Sequence, residues 1–155
     1  DLDIDAYLPE TYVVSEEQRL DLYKRIALID SEEGRDEMLD ELIDRFGEPS
    51  RSVQNLLFIA MLRMEAHKAF VTEIVQRPEE IVFTLFERAA IDASGIPAVI
   101  EKNKPYVTFT ADAKHPAFHY FYKKNSRIKP KDLPDLVMTF VKELQGLALN
   151  QKSEN

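Results

Sequence analysis

The spacing of apolar residues changes once along this chain, near residue 70, and that change limits the folds open to it. From Ser15 to Phe70 apolar residues return every three or four positions, the period of a helix with one buried face. After Val71 they return in short strand-like runs separated by Pro, Gly and polar residues. Helices first, then a small sheet with helices, is an α+β pattern. The expected order is an N-terminal strand, three helices, a mostly antiparallel sheet, a short helix and a C-terminal helix.

Punctuation sets the boundaries. Residues 2–8 alternate, with Leu2, Ile4, Ala6 and Leu8 on one side and Asp3, Asp5 and Tyr7 on the other, which predicts a half-buried strand ended by Pro9. Ser15 and Gln18 form a capping-box pattern for a helix over 16–29, with a buried stripe of Leu20, Tyr23, Ala27 and Leu28. Ser31 caps a second helix over 32–46, with Met38, Leu39, Leu42, Ile43 and Phe46 inward. Gly47 sits where a positive φ is wanted, and Pro49 prevents continuation. A third helix runs from about 52 to 70 through LLFIAML. Strands are expected over 71–76, 80–86, 106–111 and 118–122, and short and long helices over 95–103 and 133–147, the last capped by Asp132. The sequence therefore predicts one domain over 1–149 and a disordered tail, NQKSEN, over 150–155.

At 155 residues and 45% hydrophobic content the chain can bury a core without staples. It has no cysteine, which removes disulfides and thiolate metal sites and fits a reducing, cytoplasmic setting. No apolar run approaches the ~18 residues of a membrane span. The first residues have neither the basic nor the apolar part of a signal peptide, and the missing Met suggests a start inside a longer chain.

Chemistry-bearing motifs are scarce. The Walker and dinucleotide patterns and the Gly-x-Ser-x-Gly elbow are absent. His115 and His119 are four apart, which serves a metal only on a helix. On a strand that spacing is about 13 Å, so no metal site is expected. Catalytic residues, metals and cofactors are accordingly not expected.

The net charge of −8 is unevenly spread. Residues 1–48 hold 16 acidic and 5 basic side chains; residues 100–131 hold 8 basic and 2 acidic. The basic stretch also contains Tyr106, Phe109, Phe118, Tyr120, Phe121 and Tyr122, so a nucleic-acid-binding module using 102–131 is the alternative functional reading. The favoured reading of those aromatics is the inner face of the sheet, with lysines outside. The acidic half points instead to a basic protein surface.

Within that half, Glu41, Asp44 and Arg45 fall within about 100° of one another on the second helix, and Glu37 and Glu48 extend the stripe. Opposite Leu39, Leu42 and Phe46, they are expected to face outward. On charge alone this is a solvated face with an i,i+4 pair between Glu41 and Arg45.

Three segments carry a resemblance. DAYLPETYV at 5–13, Arg19-Leu20 with Tyr23, and ELIDRFGEPSRSVQNLL at 41–57 resemble, in order and spacing, the C-terminal domain of bacterial transcription-repair coupling factor. The resemblance covers residues 1 to about 90. The GEP after the helix is shorter than the family's common Gly-x-Leu-Pro form. The resemblance implies a non-catalytic, autoinhibitory domain of an ATP-driven duplex-DNA translocase that displaces stalled RNA polymerase and recruits UvrA. ATP and Mg would belong to the parent's motor, and duplex DNA would be bound there rather than by this chain. The domain would pack on a UvrB-like N-terminal module through Glu41, Asp44 and Arg45, masking the UvrA-binding surface.

Overall fold

In the computed structural model, which describes residues 1–149, Ser15 opens the first helix as its spacing predicts. Its Oγ accepts from the Gln18 N–H at 3.2 Å, and α1 runs Glu16–Ala27. Ser31 Oγ accepts from Gly34 N–H at 2.9 Å and starts α2, Glu32–Phe46. Gly47, at φ +91°, turns the chain out of α2, and α3 follows over Arg51–Lys68. Four strands come next: β1 Val71–Gln76, β2 Ile81–Leu85, β3 Val107–Thr110 and β4 Ala117–Tyr120. A short α4, Ile96–Lys102, lies between β2 and β3, and α5, Leu133–Gln145, follows β4.

Two compact units emerge. Ile4–Met64 form one; Asp1–Asp3 with the described residues from Glu65 onward form the other. In the first, Leu22 and Ile26 of α1, Met38 and Leu42 of α2 and Val53, Leu57 and Ala60 of α3 are buried in one cluster that also takes in Leu8 and Val13. In the second, the sheet has the order β1-β2-β4-β3 and is antiparallel throughout. Its register puts Phe83 beside Phe118 and Phe118 beside Phe109. These rings meet Phe140 of α5, at 4.9 Å from Phe83 and 5.8 Å from Phe118. Leu133, Val137, Phe140, Val141 and Leu144 give α5 a stripe spaced 4, 3, 1 and 3, all of it buried.

Four sequence expectations are corrected. No strand forms over 2–8. Burial does alternate there, but the main chain is spent elsewhere: Tyr7 N–H donates to Ser52 O, Leu8 N–H to the Tyr23 hydroxyl, and Asn55 Nδ2 donates to Asp5 O. The start of the segment does meet β1: Asp1 donates to Ile74 O and accepts from Gln76 N–H, and Asp3 N–H donates to Gln76 Oε1. The stripe of α1 is Leu22 and Ile26, not Leu20, Ala27 and Leu28, which are exposed; both sets have helical spacing, and the more apolar Leu22–Ile26 pair turns inward. Asp132 makes no side-chain cap on α5; its carboxylate accepts from Lys129 N–H one turn earlier. Tyr122 lies in a 3-10 turn beyond β4 rather than in the strand. The disorder expected for 150–155 lies outside the described residues.

Candidate protein-interaction site

The DAYLPETYV segment gains its conformation from the helices of its own unit. Arg19 Nη1 donates to the carbonyls of Val13 and Val14 at 2.7 and 3.0 Å, holding the chain end that leads into α1. The Tyr23 hydroxyl accepts from Leu8 N–H at 2.7 Å. The Tyr12 hydroxyl donates toward the carbonyls of Gly47 at 2.7 Å and Leu42 at 3.2 Å, at the C-terminal end of α2. The Tyr12 ring packs on Phe46 at 5.7 Å. Burial, and then the charge of Glu48, raise the pKa of the Tyr12 hydroxyl. Of the side chains that carry the resemblance, Tyr12 thus meets the C-terminal end of α2, while Arg19 and Tyr23 hold the N-terminal segment itself.

On α2 the predicted residues fall into two groups. Glu41 does not point freely outward. Its two carboxylate oxygens accept from both Arg25 nitrogens, across from α1, and from Arg45 Nη1 at 2.7 Å on its own helix. Its side chain is 28% exposed. The hydrogen bonds from Arg25, then those from Arg45, lower its pKa from 4.5 to about 2. Arg45 lies with its guanidinium 4.9 Å from the Phe46 ring centroid. Glu37 and Asp44 are exposed and make no ion pair among the described residues. Glu48 is exposed too, but it stands past Gly47 and so does not continue the helical stripe. Beneath, Leu42 is fully buried; Phe46 is only half-buried, and Ile43 is 37% exposed.

Arg25 was not legible as a site residue. It is 16 positions from Glu41 on a different helix, and no local period connects them. Beside the pair lies a groove of about 350 Å³ between α1 and α2, lined by Arg25, Leu28, Ile29, Glu37, Met38 and Glu41. Leu28, at 78% exposure, is its apolar lip. A fixed charge network, free carboxylates and an exposed leucine form a surface suited to a basic and apolar partner.

The other candidates are placed as follows. Phe118 and Tyr122 are buried, and Phe109 and Tyr120 are half-buried in the α5-facing layer, so these four rings do not present a stacking platform. His115 is in the loop before β4. His119 is on β4, with Nδ1 3.1 Å from Glu80 Oε1 and Nε2 2.9 Å from Thr110 Oγ1. Among the described residues no three His, Asp or Glu side chains converge as a metal site would require. No helix among them is long and apolar enough to cross a membrane.

The TRCF domain model matches residues 2–96. The transcription-repair-coupling factor of Bacillus subtilis (strain 168) is 35% identical over 95 residues, and that of Staphylococcus haemolyticus (strain JCSC1435) is 33% identical over 95 residues. Each alignment covers 61% of this chain and 8% of the relative, so the chain spans a small fraction of the proteins it matches. A crystal structure of the C-terminal domain of transcription-repair coupling factor superposes with a TM-score of 0.75 at 25% identity, covering 92% of this chain and 88% of that one.

Proposed function

This chain belongs to the transcription-repair coupling factor family, and from that premise we propose that it acts as a non-catalytic, autoinhibitory C-terminal domain. It packs on a UvrB-like N-terminal module of the same protein and masks the surface that UvrA would bind. The observation that carries the reading is the α2 surface: exposed Glu37 and Asp44 without ion-pair partners among the described residues, next to the Arg25–Glu41–Arg45 network. Glu48 adds a further carboxylate just past the helix end.

The physics suits a releasable clamp. Exposed ion pairs contribute only about 0.2–1 kcal/mol each, too little for a lasting complex between free partners. Tethering on one chain raises the effective concentration to the millimolar range, where a few such contacts suffice. A partner with higher affinity for the open form then shifts the balance. The parent protein would be an ATP- and Mg-dependent duplex-DNA translocase acting on stalled RNA polymerase in the cytoplasm, during transcription-coupled repair of damaged DNA. Its motor would lie outside this chain.

The test is binding in trans. Isolated chain, titrated into the UvrB-like module up to the millimolar concentration that tethering would supply, should bind weakly but saturably, and Asp44→Arg should weaken binding about tenfold by placing a cation against a basic surface. Saturable binding that is indifferent to Asp44→Arg would remove α2 from the interface. Absence of any binding would remove the clamp.

A further inference from the structure

We propose that the second unit carries a separate docking groove for an acidic protein segment with an apolar anchor. It lies between the end of β1 and the loop joining β4 to α5. The groove has a volume of about 680 Å³. Its floor is apolar, contributed by Leu2, Tyr122, Ile128 and Leu133. Tyr122 adds no free hydroxyl, because its O–H donates to the Arg77 carbonyl. The rim is cationic, with Arg77, Lys123 and Lys129.

The loop extends that character. Residues 123–131 read KKNSRIKPK, and Lys123, Lys124, Arg127, Lys129 and Lys131 are all exposed. Neither these five nor Arg77 makes an ion pair within 4 Å among the described residues. Acids are not scarce: the chain has 28 acidic and 20 basic residues. Among the described residues Arg19, Arg25, Arg35, Arg45, Lys68, Lys102 and Lys104 do find partners, and the unpaired Lys24, Arg51, Arg63, Arg88, Lys114 and Lys142 are scattered along the chain rather than gathered in one loop. Two carboxylates, Asp1 and Asp3, stand at one end of the groove, and that of Asp132 is engaged with Lys129 N–H. The balance at the rim remains cationic.

Charge complementarity therefore selects an acidic occupant, and the floor selects a peptide over a nucleic acid. A single strand held without sequence preference needs open aromatic faces. Here Tyr122 is buried at 7% exposure, and the neighbouring Phe121 ring already has the Lys124 ammonium 4.8 Å from its centroid. An aliphatic or aromatic anchor seated on the floor, with carboxylates reaching the rim, uses all of the groove. None of this depends on the α1–α2 surface, which belongs to the other unit.

Fluorescence anisotropy with the whole chain tests the proposal. The probe is a short labelled Asp/Glu peptide with a central Leu-Phe pair. Controls are the same peptide with Ser-Ser at the centre and a labelled single-stranded oligonucleotide of equal charge. The Leu-Phe peptide should bind saturably at physiological salt, and the Ser-Ser peptide several-fold more weakly. K123E/K129E should weaken binding about tenfold, both lysines being exposed and free of ion pairs so that the fold is kept. I128A should weaken the Leu-Phe peptide but not the Ser-Ser one. No saturable binding, equal binding of the two peptides, or tighter binding of the oligonucleotide would overturn the proposal.

Discussion

Glu41 shows how far one side chain can depart from the surface its position suggests. Hydrogen bonds from Arg25 and then Arg45 hold its carboxyl near a pKa of about 2, against an ordinary 4.5. A carboxyl depressed on folding adds stability that is fully present above the unfolded value and is lost as pH falls from about 4.5 through about 2. Glu41→Gln should therefore cost about 1–2 kcal/mol at neutral pH, and the variant should lose less stability than the parent across that acid window. Urea unfolding at pH 7 and pH 3 measures both. Glu37→Ala and Asp44→Ala should each stay within about 0.5 kcal/mol, whereas Leu42→Ala should cost about 2–5 kcal/mol through the cavity it leaves. Thermal unfolding of the three separates surface from core. The exposure of Glu37 and Asp44 was readable in the sequence because it follows from one helix's own period. The engagement of Glu41 was not, because its partner is on another helix.

At the scale of elements, the features that depend on neighbours in sequence were legible and the rest were not. Ser15 and Ser31 cap as their spacing indicates, and α5 forms close to the 133–147 its pattern predicts. On α1 two apolar sets competed, and the packing of Leu22 and Ile26 into their unit decided between them. The N-terminal segment alternates like a strand, yet Asp5, Tyr7 and Leu8 spend their main-chain groups on residues of helices, a choice invisible to a period of two. Tyr12 is the clearest case of a motif residue whose purpose appears only in three dimensions. Its hydroxyl serves two carbonyls at the end of α2. Tyr12→Phe should cost about 0.5–1.5 kcal/mol, and hydrogen exchange should rise first at the C-terminal turn of α2 while α1 stays protected. Uniform exchange across the unit would instead make Tyr12 a general packing residue.

Over the whole molecule, charge is segregated: residues 1–48 have 16 acidic against 5 basic side chains, and the cations of 123–131 stand without ion-pair partners among the described residues. This segregation was plain in the sequence. The separation into two compact units was not, because the boundary falls inside α3, between Met64 and Glu65, where the helix itself continues without a break. The clamp account predicts that contacts made by Glu37 and Asp44 are exposed and screened, so binding of this chain to the UvrB-like module should weaken as salt rises over the range where the Debye length falls from about 10 to 3 Å. The most direct test of autoinhibition is UvrA affinity of the full-length protein with and without Asp44→Arg. This change spares the Arg25–Glu41–Arg45 network and should leave the domain folded. Affinity should rise about tenfold or more as the closed form is lost. Unchanged affinity in a protein whose domain remains folded would contradict the claim that this surface holds the repressed state.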